Sequence, residues 1–262
     1  MNRLNLVLPA AGLGSRFQQV GEMRPKPLIP VFGIPMIAWV LLNFPLGSMD
    51  KVWIISQRKD AIPETLNDLT TKFPFEIGFV EIDGLTEGPA STVNLVLETL
   101  PDSESVIVAN TDQFVFSDLA PFVEIVRSGR SQGQIVTMRA SSNAWSYVGR
   151  DSSGSINRVV EKIEISNEAT VGIYGWSNAR DAKDAFLNTF EQDIRTNNEF
   201  YVAPTYNFML EQQKIVETYL VGDHGTAVHG LGTPKDLSAF LEIPEAQMVA
   251  LNLAKILKFN KR

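Results

Sequence analysis

Apolar positions along this chain follow two rhythms. "LNLVLP" (4–9), "KVWIIS" (51–56) and "SVIVAN" (105–110) are almost unbroken apolar runs, as strands covered on both faces should be, and "FEIGFVEI" (75–82) reads as a further strand. Segments with helical spacing lie between them: "PMIAWVLLNF" (35–44), a weaker one within 61–72, and "PASTVNLVLETL" (89–100). Strand–helix–strand alternation implies a parallel sheet with right-handed crossovers. Another helix within 117–127 leads to a strand at 133–140.

Beyond Ala140 the pattern becomes more mixed. "SYVGRDSSGSINRVVEKIEI" predicts two strands around the "DSSG" turn, and "ATVGIYGWS" a third. Helices are expected over 179–191 and within 202–213, then a strand at 214–221. Near the end Thr233 can cap a helix that has Pro234 at its first position and Asp236 at its third. With no repeat, low-complexity tract or obvious linker, residues 1–262 are expected to form one continuous α/β domain.

Composition narrows the function classes. The 262 residues are 44% hydrophobic and 20% charged, which is ordinary globular usage. A net charge of −7 argues against nucleic-acid binding, because the one basic cluster is the terminal "KFNKR", expected to be solvated charge after the last helix. The absence of cysteine removes disulfides and thiolate zinc sites, and His224 and His229 are too few for an all-histidine metal site. Arg3 before an apolar run suggests a secretory signal, but Pro9 and Gly12 interrupt that run early. No apolar stretch approaches the ~20 residues that span a bilayer. A soluble cytoplasmic protein without a membrane partner is expected.

Candidate chemistry starts at "VLPAAGLGSRFQQVGEMRPKPLIP" (7–30), a strand followed by G-x-G, an arginine, and a lysine between prolines. A P-loop would need G-x-x-x-x-G-K-[ST], which is missing. A dinucleotide fingerprint would need a third glycine where Phe17 stands, and an acid after the second strand where Gln57, Arg58 and Lys59 come first. A plain strand-to-helix turn explains the glycines but not Arg16 together with Lys26.

The stretch "AAGLGSRF…RPKPLIPVFGIPMI" resembles the signature of the sugar-1-phosphate nucleotidyltransferases, of the glucose-1-phosphate thymidylyltransferase type. "EGPASTVNLVL" is similar to that family's glycine-containing segment before a helix, and "VIVANTDQFV" to its strand ending in a metal-binding aspartate. "VVEKIEISNEATVGIYGW" resembles the segment that meets the second substrate, and "GLGTPKDLSAF" the closing one. These motifs occur in the family's order over nearly the whole chain. The resemblance implies an α/β fold: a Rossmann-like three-layer sandwich with a central mixed, mostly parallel sheet. It also implies a nucleotide-binding half, 1–140, and an acceptor-binding half, 141–262.

The implied reaction joins an NTP to a phosphorylated acceptor with release of pyrophosphate. Both reactants are anionic, so the site must assemble them and neutralise charge, with Mg²⁺ as cofactor. Gly12 and Gly14 would let the backbone wrap the triphosphate, with Ala10 and Ala11 under the base; tight packing alone also explains the alanines. Arg16 would hold the β- and γ-phosphates and Lys26 reach the α-phosphate. Gly88 reads either as a helix cap or as a close approach to the nucleobase, with Glu87 and Thr86 beside base or ribose. Asp112, just past an apolar strand, would bind Mg²⁺; a turn aspartate is the bland alternative.

On the acceptor side the resemblance assigns the phosphate to Lys162 and the hydroxyls to Glu161. These two are adjacent on a predicted strand and so should point to opposite faces. Asn167, Gly172 and Tyr174 belong to the same segment, Glu199 in "NEFYVAP" is a further acceptor contact, and Tyr147 lies near the family's tyrosine–glycine pair, with Val148 in place of the glycine. One departure stands out. Many relatives carry a second metal-binding aspartate in W-x-D-x-G-T, whereas "VHGLGT" has Gly230 there. His229 beside it reads as a loop histidine, and Asp223 is the nearest upstream carboxylate.

The expected enzyme is therefore a nucleotidyltransferase, making a nucleotide sugar for surface polysaccharide. One alternative is a cytidylyltransferase acting on a non-sugar phosphate such as phosphocholine. Another is a glycosyltransferase using a nucleotide sugar, but "NTDQ" lacks its usual D-x-D and Lys26 would have no task. A silent nucleotide sensor would be expected to lose Arg16, Lys26 or Asp112. The nucleobase is not legible, and a homo-oligomer stays open.

Overall fold

The computed structural model describes residues 3–257; the "KFNKR" tail lies outside the described residues. In chain order the elements are β1 (Leu4–Pro9), α1 (Ser15–Gln18), β2 (Pro30–Val31), β3 (Ile34–Pro35), α2 (Met36–Leu41), β4 (Lys51–Gln57), α3 (Ile62–Thr70) and β5 (Glu76–Ile82). There follow α4 (Pro89–Leu97), β6 (Ser105–Ala109), β7 (Gln113–Val115), α5 (Ala120–Ser128), β8 (Gly133–Arg139), β9 (Ser146–Arg150), β10 (Ile156–Glu161) and β11 (Glu168–Trp176). The chain continues through α6 (Ala179–Glu191), α7 (Tyr206–Glu211), β12 (Val216–Asp223), β13 (Val228–Gly230), α8 (Pro234–Leu241) and α9 (Pro244–Ile256).

The main sheet has nine strands, running β10-β9-β11-β6-β1-β4-β5, with β8 paired to β11 and β12 to β8. β1, β4, β5 and β6 pair parallel, as their helical crossovers require. β11 runs antiparallel between β6 and β8, and β12 is parallel to β8. The result is a mixed, mostly parallel sheet with helices on both faces.

Alternation along β1 builds the two cores. Leu4, Leu6 and Leu8 join a cluster with Trp39, Phe114 and Phe240, while Val7 joins one with Trp176, Tyr206 and Phe186. Trp39 is fully buried, its indole donating to Val31 O at 3.0 Å, with Phe114 and Phe240 edge-on at 5.3 and 5.4 Å. Such a contact satisfies the one polar atom of the ring while burying the rest.

Several local differences from the sequence reading have physical causes. The expected helix over 35–44 is observed as α2, six residues long, with Pro45 just beyond it. The C-terminal helical pattern breaks into α8 and α9 at Pro244, whose nitrogen cannot donate. The helix expected within 202–213 is a 3-10 turn (Ala203–Thr205) that runs into α7. The short pairs β2/β3 and β7/β13 carry too few residues for a periodicity to show. Lys162 lies past the end of β10 at φ 57°, not within a strand.

Candidate active site

β1 stands where the strand order turns, with β4 and β5 following on one side and β6 on the other. In open α/β sheets ligands settle beyond the carboxyl ends of such strands. A cleft of about 1060 Å³ opens there. The loop after β1 lines it with Ala11, Gly12 and Arg16, and the loop after β6 with Asn110, Thr111 and Asp112. Gly88 lies on the same wall, and the second half of the chain adds Glu161, Lys162, Gly172, Tyr174, Glu199 and Tyr201.

Lys26 opens a 3-10 turn after Pro25. Gly14, at φ 63°, packs against its stem, where an added Cβ would sit 3.4 Å from Lys26 Cβ. Lys26 Nζ donates to Asp112 Oδ2 at 2.8 Å across 86 residues of sequence. The two side chains keep 22% and 23% exposure, so the pair stays open to the cleft. Gln57, buried at the end of β4, fixes the approach by donating to Ala11 O at 2.7 Å.

A second polar group lines the same cleft. Lys162 Nζ donates to Tyr201 Oη and lies 4.1 Å from that ring's centre, and Tyr201 Oη donates to Glu199 Oε2 at 2.7 Å. Glu161 accepts from Ser146 Oγ. Burial pushes its carboxyl above the usual range, only partly offset by Ser146 and Lys162. Burial, with Glu199 as its acceptor, also raises the Tyr201 phenol, so this hydroxyl stays a donor. Because Lys162 has left the strand, it and Glu161 enter the same cleft instead of opposite faces. Gly172, at φ 80°, sits where β11 shifts register, and a Cβ there would fall 2.2 Å from Asn110 Nδ2. That glycine lets Asn110 reach the wall.

Other residues singled out from the sequence lie elsewhere. Ala10 is buried beneath the loop rather than on the wall. Gly14 backs Lys26 from outside. Glu87 turns to the outer surface, where it pairs with Arg195 at 3.2 Å and lines a separate pocket of about 300 Å³. Tyr147 is fully buried, its hydroxyl accepting from Ser142 N at 2.7 Å and donating to Ser142 O at 2.8 Å. Asn167 is exposed off the cleft, with its carbonyl accepting from Ala140 N. His229 packs against Phe116 and Phe240 and burial lowers its imidazole, which suits a structural role. Asp223 lies off the wall, 3.5 Å from Arg139.

Sequence reasoning passed over Asp236, Asn110, Gln57, Tyr201, Trp145, Arg139 and His224. Asp236 was legible only as a cap: Thr233 Oγ1 accepts from Asp236 N at 3.1 Å. Its carboxylate also lines the cleft, 3.7 Å from where a Gly230 side chain would begin. Gln57 stood in view as an argument against a dinucleotide site, and Tyr201 two residues after Glu199 as a second same-face position.

A family model described as "Nucleotidyl transferase" matches residues 5–213, most of the chain. The chain belongs to the nucleotidyl transferase family. Among curated proteins none matches it. Among solved structures it resembles a nucleoside-diphosphate-sugar pyrophosphorylase from Vibrio cholerae RC9, with 22% identity, a TM-score of 0.70, and coverage of 91% of this chain and 100% of that one. It also resembles a protein described as a glucose-1-phosphate thymidylyltransferase from Bacillus anthracis, solved with a sucrose, at 17% identity, a TM-score of 0.74, and coverage of 94% and 95%. At these identities the likeness shows the shared α/β fold. Arg16, Lys26 and Lys162 all line this one cleft, which brings three cationic side chains to it.

Proposed function

We propose that this nucleotidyltransferase joins an NTP to a phosphorylated metabolite of the sugar-1-phosphate class. Its product would be an activated nucleotide sugar for surface polysaccharide, made in the cytoplasm. The observation that carries this reading is the Lys26–Asp112 pair facing the same cleft as Lys162. Residues 1–140 would supply the NTP side and 141–262 the acceptor side, with Gly12, Arg16 and Gly88 along the nucleotide.

Lys162 would hold the acceptor phosphate so that one of its oxygens attacks the α-phosphorus in line with the departing pyrophosphate. Lys26 would neutralise charge growing on the α-phosphoryl group, and Arg16 would grip the leaving phosphates. Glu161 and Glu199 would accept from acceptor hydroxyls. Asp112 would hold Mg²⁺, for which an all-oxygen set completed by phosphates and water is the right chemistry. The residues fit that ion: a Cβ at Gly232 would fall 2.2 Å from Asp112 Oδ2, so glycine there leaves the carboxylate its room. When bound, the ion supplies charge neutralisation at the phosphates.

A pyrophosphate-release screen of NTPs against phosphorylated acceptors tests this. Release should require NTP, Mg²⁺ and acceptor together. Lys26→Ala should cut kcat by ~100-fold or more, whereas Lys162→Ala should chiefly raise the acceptor KM. Steady NTP hydrolysis indifferent to every acceptor would sink the proposal. Loss of NTP binding in Lys162→Ala alone would reverse the two pockets.

A further inference from the structure

The cleft that Lys162 lines carries a further cation that a reacting phosphate alone does not use: Arg139, at the very end of the 1–140 half. Lys162 is tied to it along the cleft wall. Its backbone N–H donates to Trp145 O at 3.0 Å, the Trp145 ring lies 5.2 Å from the His224 ring, and His224 N donates to Arg139 O at 3.0 Å. All four residues line the cleft. Trp145 and His224 thus link Lys162 to Arg139 along the wall.

The charges around that wall are uneven. Glu161 and Glu199 sit at the Lys162 end, already accepting from Ser146 and from Tyr201. Glu164 accepts from Ser141 Oγ at 2.7 Å, on the loop above. Arg139 meets Asp223 at 3.5 Å, longer than a tight charge-assisted bond, with both side chains about 60% exposed. Such a pair holds its partners weakly, and the guanidinium keeps its planar fork for a ligand. Asp223 is off the cleft wall, and its exposed 3.5 Å pair with Arg139 is weak enough for an incoming anion to compete for the guanidinium. A neutral sugar ring would need only the neutral donors of Ser141, Ser142 and Asn143; an arginine on the same cleft offers something more specific.

We propose that the phosphorylated acceptor carries a second anionic group, a carboxylate or a further phosphate, remote from the phosphate that reacts, and that Arg139 with His224 receives it. This rests on the nucleotidyl-transfer reading above. It sets the chain apart from an enzyme for a plain neutral hexose phosphate. Lys162 anchors the reacting phosphate, the two glutamates face the hydroxyls next to it, and their charge directs the second anion toward Arg139.

The test compares kcat/KM for glucose-1-phosphate, glucuronate-1-phosphate, glucose-1,6-bisphosphate and phosphocholine, in wild type and in Arg139→Met, Arg139→Lys and His224→Gln. The wild type should prefer a doubly anionic acceptor by ~10-fold or more, the scale of one charge-assisted contact. Arg139→Met should collapse that preference towards unity, Arg139→Lys should keep part of it, and His224→Gln should weaken it less. Glucuronate against bisphosphate separates carboxylate from phosphate as the second group. Best turnover with glucose-1-phosphate or phosphocholine would overturn the inference and leave the transferase reading standing. So would an anionic preference that Arg139→Met does not move. Pyrophosphate release with no acceptor would overturn both together.

Discussion

Gly232 shows how one atom decides the geometry of the Lys26–Asp112 pair. An alanine there would put its Cβ 2.2 Å from Asp112 Oδ2 and 3.0 Å from Cγ, so the carboxylate would have to swing away from Lys26. The backbone at 232 needs no left-handed conformation, so the fold should tolerate the change. Gly232→Ala should therefore lower kcat by ~100-fold, the order expected of a 1 Å misplacement, with little change in Tm. Full activity in the alanine variant would refute that account. Asp50 carries stability instead. It is 2% exposed and accepts from Arg127 at 2.6 Å, Gly47 N at 2.7 Å and Leu4 N at 3.3 Å. Burial alone would raise its carboxyl, but the Arg127 guanidinium and these N–H groups outweigh it and hold it below the usual range. A depressed folded-state pKa gives stability that is full above the unfolded value, about 3.9, and is lost as pH falls below it. Asp50→Ala should cost about 3–5 kcal/mol at neutral pH, since it breaks a buried ion pair and removes the acceptor of the Gly47 and Leu4 N–H groups. Asp50→Asn should flatten the fall in urea midpoint between about pH 5 and pH 3.

At the scale of elements, the segment between α6 and α7 is wound tightly to present Glu199 and Tyr201. Asp193, Asn197 and Asn198 all have positive φ, at 51°, 52° and 64°. Such turns persist only where surrounding contacts over-determine them. Arg195 supplies several: it reaches Glu87 at 3.2 Å, donates to Asn198 O at 3.3 Å, and lies 3.8 Å from the centre of the Phe200 ring. The backbone seals the same junction, Phe200 N donating to Glu87 O and Ala90 N to Phe200 O. Gly88 allows it at φ 133°, because a Cβ would fall 2.6 Å from Phe200 N and O. Arg195 thus acts as a positioning residue outside the cleft. Arg195→Ala should raise the acceptor KM by ~10-fold while changing kcat less, and Arg195→Lys should fail to restore it because lysine lacks the fork. A drop in kcat at unchanged KM would count against this role.

At the scale of the whole molecule, the cleft draws its walls from strands and loops spread from Pro9 to Asp236, and exists only when the sheet is assembled. A ligand held there binds the native state alone. NTP with Mg²⁺ at 100 times its Kd should stabilise the fold by about 2.7 kcal/mol, or roughly 5–10 °C in Tm for a chain of this size. Asp112→Asn should lose the Mg²⁺-dependent part of that shift. No shift up to millimolar NTP would contradict a nucleotide site in this cleft.

What the sequence determined by itself was local. The unbroken apolar runs of β1, β4 and β6 marked strands buried on both faces, since side chains alternate and both faces needed cover. The Thr233–Pro234–Asp236 start of α8 was legible because a cap needs only neighbours. The loop motif around Gly12, Arg16 and Lys26 was legible because its residue types are rare together. Other features depended on partners far along the chain, and only the tertiary structure decided them. Nothing near Lys26 says that its amine meets Asp112, and nothing near Gly88 says that Phe200 presses on it. Tyr147 looked like a wall residue until β9 took its register beside β10 and β11 and turned the ring inward. Lys162 looked like a strand residue until a left-handed turn brought it beside Glu161. Propensity and periodicity act over a few residues, whereas register, crossover and close packing are settled by contacts across the whole sheet.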